Sequence, residues 1–234
     1  MLCKIADLFV EVPEAGGIAP RCQAYLHNGN AEPDIVILED RYEGLLETKH
    51  LNPESRAYME SGRQFCVQLL EHDGFYLHSS AVAVDGKAYL FSADSGVGKS
   101  THTRLWQQIL GDKAQVFNDD KPALRFIDDR WYAYGTPWCG KDGININMKV
   151  PLAGVCFLKR GKRNAIRQLD TKEALIHLLP QTIYRFGKPE RLDLLLSHVN
   201  RFLEKVPVFE LENLPVPEAA YLSYETMRRK AEEK

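Results

Sequence analysis

The octapeptide Ala93-Asp-Ser-Gly-Val-Gly-Lys-Ser100 constrains this chain more than any other stretch. It lies between a predicted strand, Ala88-Tyr-Leu-Phe91, and a predicted helix over Thr101 to Leu110. It fits the phosphate-loop pattern GxxxxGK[ST] (Walker A), except that Ala93 stands where the first glycine is usual. Gly96 and Gly98 let the backbone curl so that successive N–H groups turn inward and form a nest for phosphate oxygens. The helix that follows adds the positive end of its dipole to the same spot. On this reading Ser95, Gly96, Val97, Gly98, Lys99, Ser100 and Thr101 bind a nucleotide. Lys99 reaches the β- and γ-phosphates, and the Ser100 hydroxyl ligates Mg²⁺.

Around this unit the punctuation predicts further elements. Asp85-Gly86 is a strong hairpin signal between Tyr76–Val84 and Ala88–Phe91, both rich in strand formers. Ala114 to Phe117 predicts a short strand. Ala123 to Ile127 and Trp131 to Tyr134 flank a turn at Asp128-Asp129-Arg130, and Val150 to Leu158 predicts another strand. Asp34 to Glu39 is a candidate strand, and Ala15 to Pro20 a turn-rich break. Asn52-Pro53 reads as a cap followed by proline at the first helical position. Tyr58, Met59, Cys66, Leu69 and Leu70 then share one face, although Gly62 weakens that helix. Helices are expected over Thr171 to Leu179, Pro189 to Glu204 and Glu218 to Lys230, with a late strand at Val206 to Leu211. The expected class is α/β (α+β mixed), a mixed-sheet phosphate-loop domain at 75–234 with a β-rich segment, 1–74, packed on it and helices at the C-terminal end.

Composition removes other classes. Thirty Lys and Arg against thirty-two Asp and Glu give a net charge of −2 over 234 residues, so no global field draws a nucleic acid. No apolar run approaches the ~20 residues of a membrane span. Asp7 and Glu11 interrupt the apolar pattern of the first residues, unlike a signal peptide, which points to a cytoplasmic protein. Five cysteines, an odd number with no CxxC, read as reduced thiols.

Three more constellations carry chemistry. Asn118-Asp119-Asp120 ends the strand after the phosphate-loop helix, where a Mg²⁺-positioning carboxylate is usual. Side chains of adjacent residues in an extended segment diverge, so two acids can split the labour between metal and acceptor hydroxyl. His78, in Leu77-His78-Ser79-Ser80, precedes the hairpin that feeds the loop. Gly135-Thr-Pro-Trp-Cys-Gly-Lys141 is dense in turn formers and functional groups, with Lys141 as a contact for the γ-phosphate and Trp138 as an apolar wall.

Taken in order, His78, Ser95-Gly-Val-Gly-Lys-Ser100 and Asp119-Asp120 resemble the kinase domain of HPr kinase/phosphorylase, whose nucleotide-binding architecture is shared with ATP-dependent phosphoenolpyruvate carboxykinase. The resemblance covers about residues 75–160. It implies that Asp119 is the general base towards a serine hydroxyl, that Asp120 holds the divalent metal with Ser100, and that His78 stands near the transferred phosphate. Departures are plain. Ala93 replaces glycine, and the family's Arg-Gly-x-Gly segment is absent, its stretch taken by Gly135 to Lys141 and Gly143-Ile-Asn-Ile-Asn147. About 70 unrelated residues stand in place of the family's N-terminal domain. The chain is more similar to HPr kinase-related proteins, which include free-serine kinases and kinases of peptide-maturation clusters.

The expectation is a Mg²⁺-ATP-dependent kinase acting on a serine hydroxyl of a peptide or protein, with Asp119, Lys99, His78 and Lys141 catalytic. A small-molecule kinase acting on free serine or a similar metabolite stays open, with Arg160, Arg163 or Arg185 as candidate anchors. So does an ATP-binding module without turnover. The loop 159–164 or the N-terminal strands are expected to contact adenine, and association into a homo-oligomer is left open.

Overall fold

The structure is a computed structural model that describes residues 1–14, 17–39, 50–182 and 189–233. Three two-residue hairpin turns set the course of its sheets. Ala6-Asp7, Asp85-Gly86 and Asp128-Asp129 each hold both central residues at positive φ, between 48° and 72°, which matches the right-handed twist of the strands they join. They connect β1 (Leu2–Ile5) to β2 (Leu8–Glu11), β5 (Ser79–Val84) to β6 (Lys87–Ser92), and β8 (Ala123–Ile127) to β9 (Arg130–Tyr134). Only Asp85-Gly86 and Asp128-Asp129 are legible as turns. Ala6 has no turn signature and adopts φ 54° because the pairing of Ile5 with Leu8 closes around it.

The other strands are β3 (Ile35–Val36), β4 (Gly74–Tyr76), β7 (Ala114–Asp120), β10 (Lys149–Arg160), β11 (Ala165–Gln168) and β12 (Val208–Asn213). The helices are α1 (Pro53–Leu69), α2 (Lys99–Leu110), α3 (Thr171–Leu178), α4 (Pro189–Lys205) and α5 (Pro217–Glu232). Among the described residues, β1, β2 and β3 form a small sheet. A mixed nine-stranded sheet runs β4-β8-β9-β10-β6-β5-β7, with β12 beside β10 and β11 on β12. The fold is therefore mixed α/β, as expected. The long β10 curls this sheet, because its first residues pair antiparallel with β9 while its later ones lie parallel to both β6 and β12.

Several boundaries differ from expectation, each for a physical reason. The run 76–84 is broken at Leu77-His78. There the His78 amide donates to Gln181 O and its carbonyl accepts from Ser92 Oγ, so neither group is free for a ladder. Only Ile35 and Val36 pair within the expected strand 34–39. The late strand begins at Val208, after Pro207. The edge strand β11 carries too little alternation to be seen in the sequence. On α2 the buried stripe is His102, Thr103 and Trp106, while Leu105, Ile109 and Leu110 are half-buried. Ser223 of α5 accepts from Trp106 Nε1 and contacts His102 Nε2, both at 2.9 Å, which turns that face inward.

Three apolar clusters hold the layers together. One lies between the large sheet, α3 and α4, around Phe75, Trp131 and Phe202. A second joins α2 and α5 to the sheet through Phe91, Trp106 and Met227. The third packs the small sheet and α1 against Ala123 and Tyr134 of the large one and against Trp138 of the loop after β9. All five cysteines are buried and unpaired, and no described helix is long and apolar enough to cross a membrane.

Gly62, the apparent flaw in α1, sits against the face of Trp138. A Cβ there would stand 2.8 Å from Trp138 Cδ1, and Phe65 stacks on the same indole at 4.6 Å. Gly62→Ala gains up to ~1 kcal/mol of helix propensity but overpacks a closed core at a cost of about 1–3 kcal/mol. Urea denaturation is expected to show a net loss; a variant more stable than the parent would contradict this packing.

Candidate functional site

The topology brings the two sequence motifs to one edge. Strands β6 and β7 run parallel, with antiparallel β5 between them. Ser79 and Ser80 pair with Ser92 and Phe91 on one side and with Asp120 and Asp119 on the other. The acid pair thus lies two strand spacings, ~10 Å, from the mouth of the 93–100 loop.

The loop itself is a tight curl. Val97 N donates to Asp94 O at 3.2 Å, and Gly96 and Gly98 hold φ of +78° and +120°. Ala93 is buried and is not at positive φ, so replacing the usual glycine costs nothing there. Helix α2 starts at Lys99 with no side-chain cap, so its first amides have no intrahelical partner. Gly98, Lys99, Ser100 and Thr101 line a cavity of about 1030 Å³. Two side chains brace the curl from outside. Arg160 Nη2 donates to Gly96 O at 2.6 Å, and Gln181 Nε2 donates to Asp94 Oδ1 at 3.2 Å. Lys99 Nζ donates to Ala93 O at 2.9 Å. Its burial moves its pKa down, while the charges of Asp120, Asp119 and Asp94 oppose the shift.

Asp119 and Asp120 line the same cavity but in different states. Asp120 is held on three sides. Tyr58 Oη donates to Oδ2 at 3.1 Å, Lys121 Nζ pairs with the same oxygen, and His78 Nε2 stands 3.5 Å from Oδ1. The Asp119 side chain makes no hydrogen bond or ion pair among the described residues. His78 is steered by Gln181, whose Oε1 lies 3.0 Å from Nδ1. The Nε2 of the same Gln181 amide is spent on Asp94, so one side chain joins the ring to the loop. Burial, and after it the Lys99 charge, lowers the His78 pKa against the pull of Asp120.

The 135–141 segment wraps the end of β7. Buried Asn118 donates to Thr136 O at 2.9 Å and accepts from Lys121 N at 3.0 Å, and Thr136 Oγ1 donates to Lys121 O at 2.7 Å. Gly140 must be glycine, since its φ is +68° and a Cβ would meet Asp119 O at 2.6 Å. Lys141 stands exposed on the cavity rim.

One expectation is corrected. Trp138 is no wall of the site; it is fully buried, donates to Ser61 Oγ at 3.0 Å, and fastens the loop to α1. The Val97 side chain packs against the cluster around Trp106. None of residues 159–164 lines the cavity. Arg163 pairs with Glu212 at 3.8 Å, and Asn164 Oδ1 accepts from Leu214 N. Arg185 lies outside the described residues.

Tyr58, Lys121, Arg21 and Gln181 escaped sequence reasoning. Lys121 follows the acid pair directly and could have been read with it, whereas the others come from distant segments with no motif. Among the described residues no group of three or more His, Cys, Asp or Glu could hold a metal by itself.

No protein family and no curated protein matches the chain. Among solved structures, the Hpr(Ser) kinase/phosphatase from Coxiella burnetii is distantly similar. It is 12% identical, the match covers 67% of this chain and 90% of that one, and the TM-score is 0.38.

The curl generates a paired prediction. Gly98→Ala, at strongly positive φ, is expected to cost about 1–2 kcal/mol. Ala93→Gly, which restores the missing glycine, should cost about 0.4–1 kcal/mol rather than stabilise, because it only frees the unfolded chain. Thermal unfolding of both variants checks the signs.

Proposed function

We propose that the chain is a Mg²⁺-ATP-dependent kinase that transfers the γ-phosphoryl group to a serine hydroxyl of a peptide or protein. The observation that carries this reading is the convergence of the α2 amides, Lys99, Ser100 and the two carboxylates on one cavity. The uncapped first turn of α2 and the curl before it suit an anionic phosphate tail. Ser100 and Asp120 offer hard oxygen donors of the kind Mg²⁺ takes. Since the protein supplies so few ligands, phosphate oxygens would complete the set. The bound cation would offset phosphate charge.

In this reading Asp119, whose side chain makes no hydrogen bond or ion pair among the described residues, accepts the proton of the acceptor hydroxyl. The acceptor oxygen bonds to the γ-phosphorus as the bond to the β–γ bridging oxygen breaks, and ADP leaves. Lys99 exchanges its bond to Ala93 O for phosphate oxygens. Lys141 and neutral His78 face the migrating group from the rim and from the acid side. Positioning and electrostatics carry most of the rate in this chemistry.

A small hydroxyl metabolite is the second reading. It is favoured by the part of α1 that lines the cavity, where Arg63 and Glu54 bring charges of both signs that suit the carboxylate and amine of an amino acid. Labelled ATP offered with free amino acids and then with serine peptides separates the two. ATP bound without transfer to either would mark a nucleotide-responsive binding module.

Asp119→Asn is expected to keep ATP affinity and lose phosphoryl transfer by about 10²-fold or more, the scale of general-base loss. Full turnover in that variant would refute the role. Lys99→Ala should weaken both ATP binding, read by calorimetry, and transfer; an unaltered nucleotide affinity would count against the phosphate-loop reading itself.

A further inference from the structure

Tyr58 of α1 stands where three distant segments meet. Its hydroxyl donates to Asp120 Oδ2 at 3.1 Å and accepts from the Gly140 amide at 2.9 Å. The carbonyl of that same glycine accepts from Arg21 Nη1 at 2.7 Å, so both backbone groups of Gly140 are held by side chains from the first 58 residues. The Arg21 guanidinium and the Lys121 ammonium lie over the Tyr58 ring, 4.8 and 5.3 Å from its centre. Arg21 is fixed in turn, since its carbonyl accepts from Asn145 Nδ2 at 2.8 Å. No motif announces Tyr58 or Arg21, and the reaction outlined above assigns them nothing.

We propose that Tyr58 is a positioning residue for the phosphoryl transfer: one phenol orients the Asp120 carboxylate and, through Gly140, the loop that presents Lys141. The inference rests on the kinase reading. Its chemistry is that of a two-sided bridge. A hydroxyl has one proton to give and lone pairs to receive with. Here the proton goes to the acid and a lone pair takes the loop amide, so the acid and the loop cannot move independently. Burial, reinforced by the Asp120 charge, opposes ionisation of the phenol, which keeps it a donor. Tyr58 Oη also occupies the Asp120 oxygen that Lys121 pairs with, leaving Oδ1 facing His78. The N-terminal segment is on this view half of the catalytic frame.

Tyr58→Phe retains the ring beneath both cations and removes only the bridge. Amide hydrogen exchange at Gly140 in the free protein, followed by NMR, is expected to accelerate about tenfold or more. The Lys121 amide, bonded to Trp138 O and Asn118 Oδ1, should stay protected. In the ADP-release assay with Mg²⁺-ATP and either L-serine or a serine peptide, kcat should fall about tenfold or more, as a small misplacement of reacting groups does. The affinity for a fluorescent ATP analogue should hold. A role confined to packing would instead lower the unfolding midpoint and leave this split absent. Arg21→Ala removes the other hold on Gly140 and should give the same pattern, which keeps the test alive if Tyr58→Phe does not fold. Unchanged Gly140 exchange in both variants overturns the bridge. Faster exchange with unchanged kcat overturns the positioning role. Wild-type protein that releases no ADP with either acceptor overturns the kinase reading and the positioning role with it; the Gly140 exchange still decides whether the bridge exists.

Discussion

The site depends on one strand lying between two others. Because antiparallel β5 separates the parallel β6 and β7, the loop that leaves β6 and the acids that end β7 emerge at the same edge, two strand spacings apart. The hairpin at Asp85-Gly86 enforces this arrangement, since it returns the chain along β5 before the 93–100 loop begins. Helix α2 then closes the unit from one face. Thr103 reaches back to Ser80 at 3.0 Å, and Trp106 is locked under Ser223 of α5, so the start of α2 is held against the strand that carries the acids' partners. A loop on a rigid frame is what anion recognition by backbone amides requires, because the amides must be arranged before the anion arrives.

Around that edge the polar groups are distributed unequally. Asp120 is tied to Tyr58, Lys121 and His78, while the side chain of Asp119 beside it makes no hydrogen bond or ion pair among the described residues. The difference follows from the strand, whose successive side chains leave on opposite faces. Two identical carboxylates one residue apart thereby meet different neighbours without any difference in residue type. Gln181 extends the same logic, because one amide serves His78 and Asp94 and so couples the ring beside the acids to the curl of the loop.

The N-terminal segment enters the site through packing. Gly62 lets α1 lie against Trp138, Trp138 fastens the 135–141 loop, and the loop clasps the end of β7. The small sheet shares its apolar cluster with Ala123 and Tyr134 of the large one, so no layer of water separates the two. An amphipathic helix that looked ordinary in sequence therefore forms the wall of the cavity that faces the loop.

From the order of residues alone, the local rules were enough for the hairpins at Asp85-Gly86 and Asp128-Asp129, for the Asn52-Pro53 start of α1, where Asn52 Oδ1 accepts from Ser55 N, and for the curl between β6 and α2. Each is set by the conformational preference of a few adjacent residues. The 95–101 loop, the acid pair, His78 and Lys141 were named from short motifs, and apart from Val97 the fold lines one cavity with them. Tertiary structure decided the rest. It broke 76–84 at His78 because Gln181, far along the chain, took its amide. It buried Trp138, packed Val97 against the cluster around Trp106, and brought Tyr58 and Arg21 to Asp120 and Gly140. These outcomes depend on which distant segments share a core, and pairings across 60 to 120 residues leave no periodicity for a linear reading to detect.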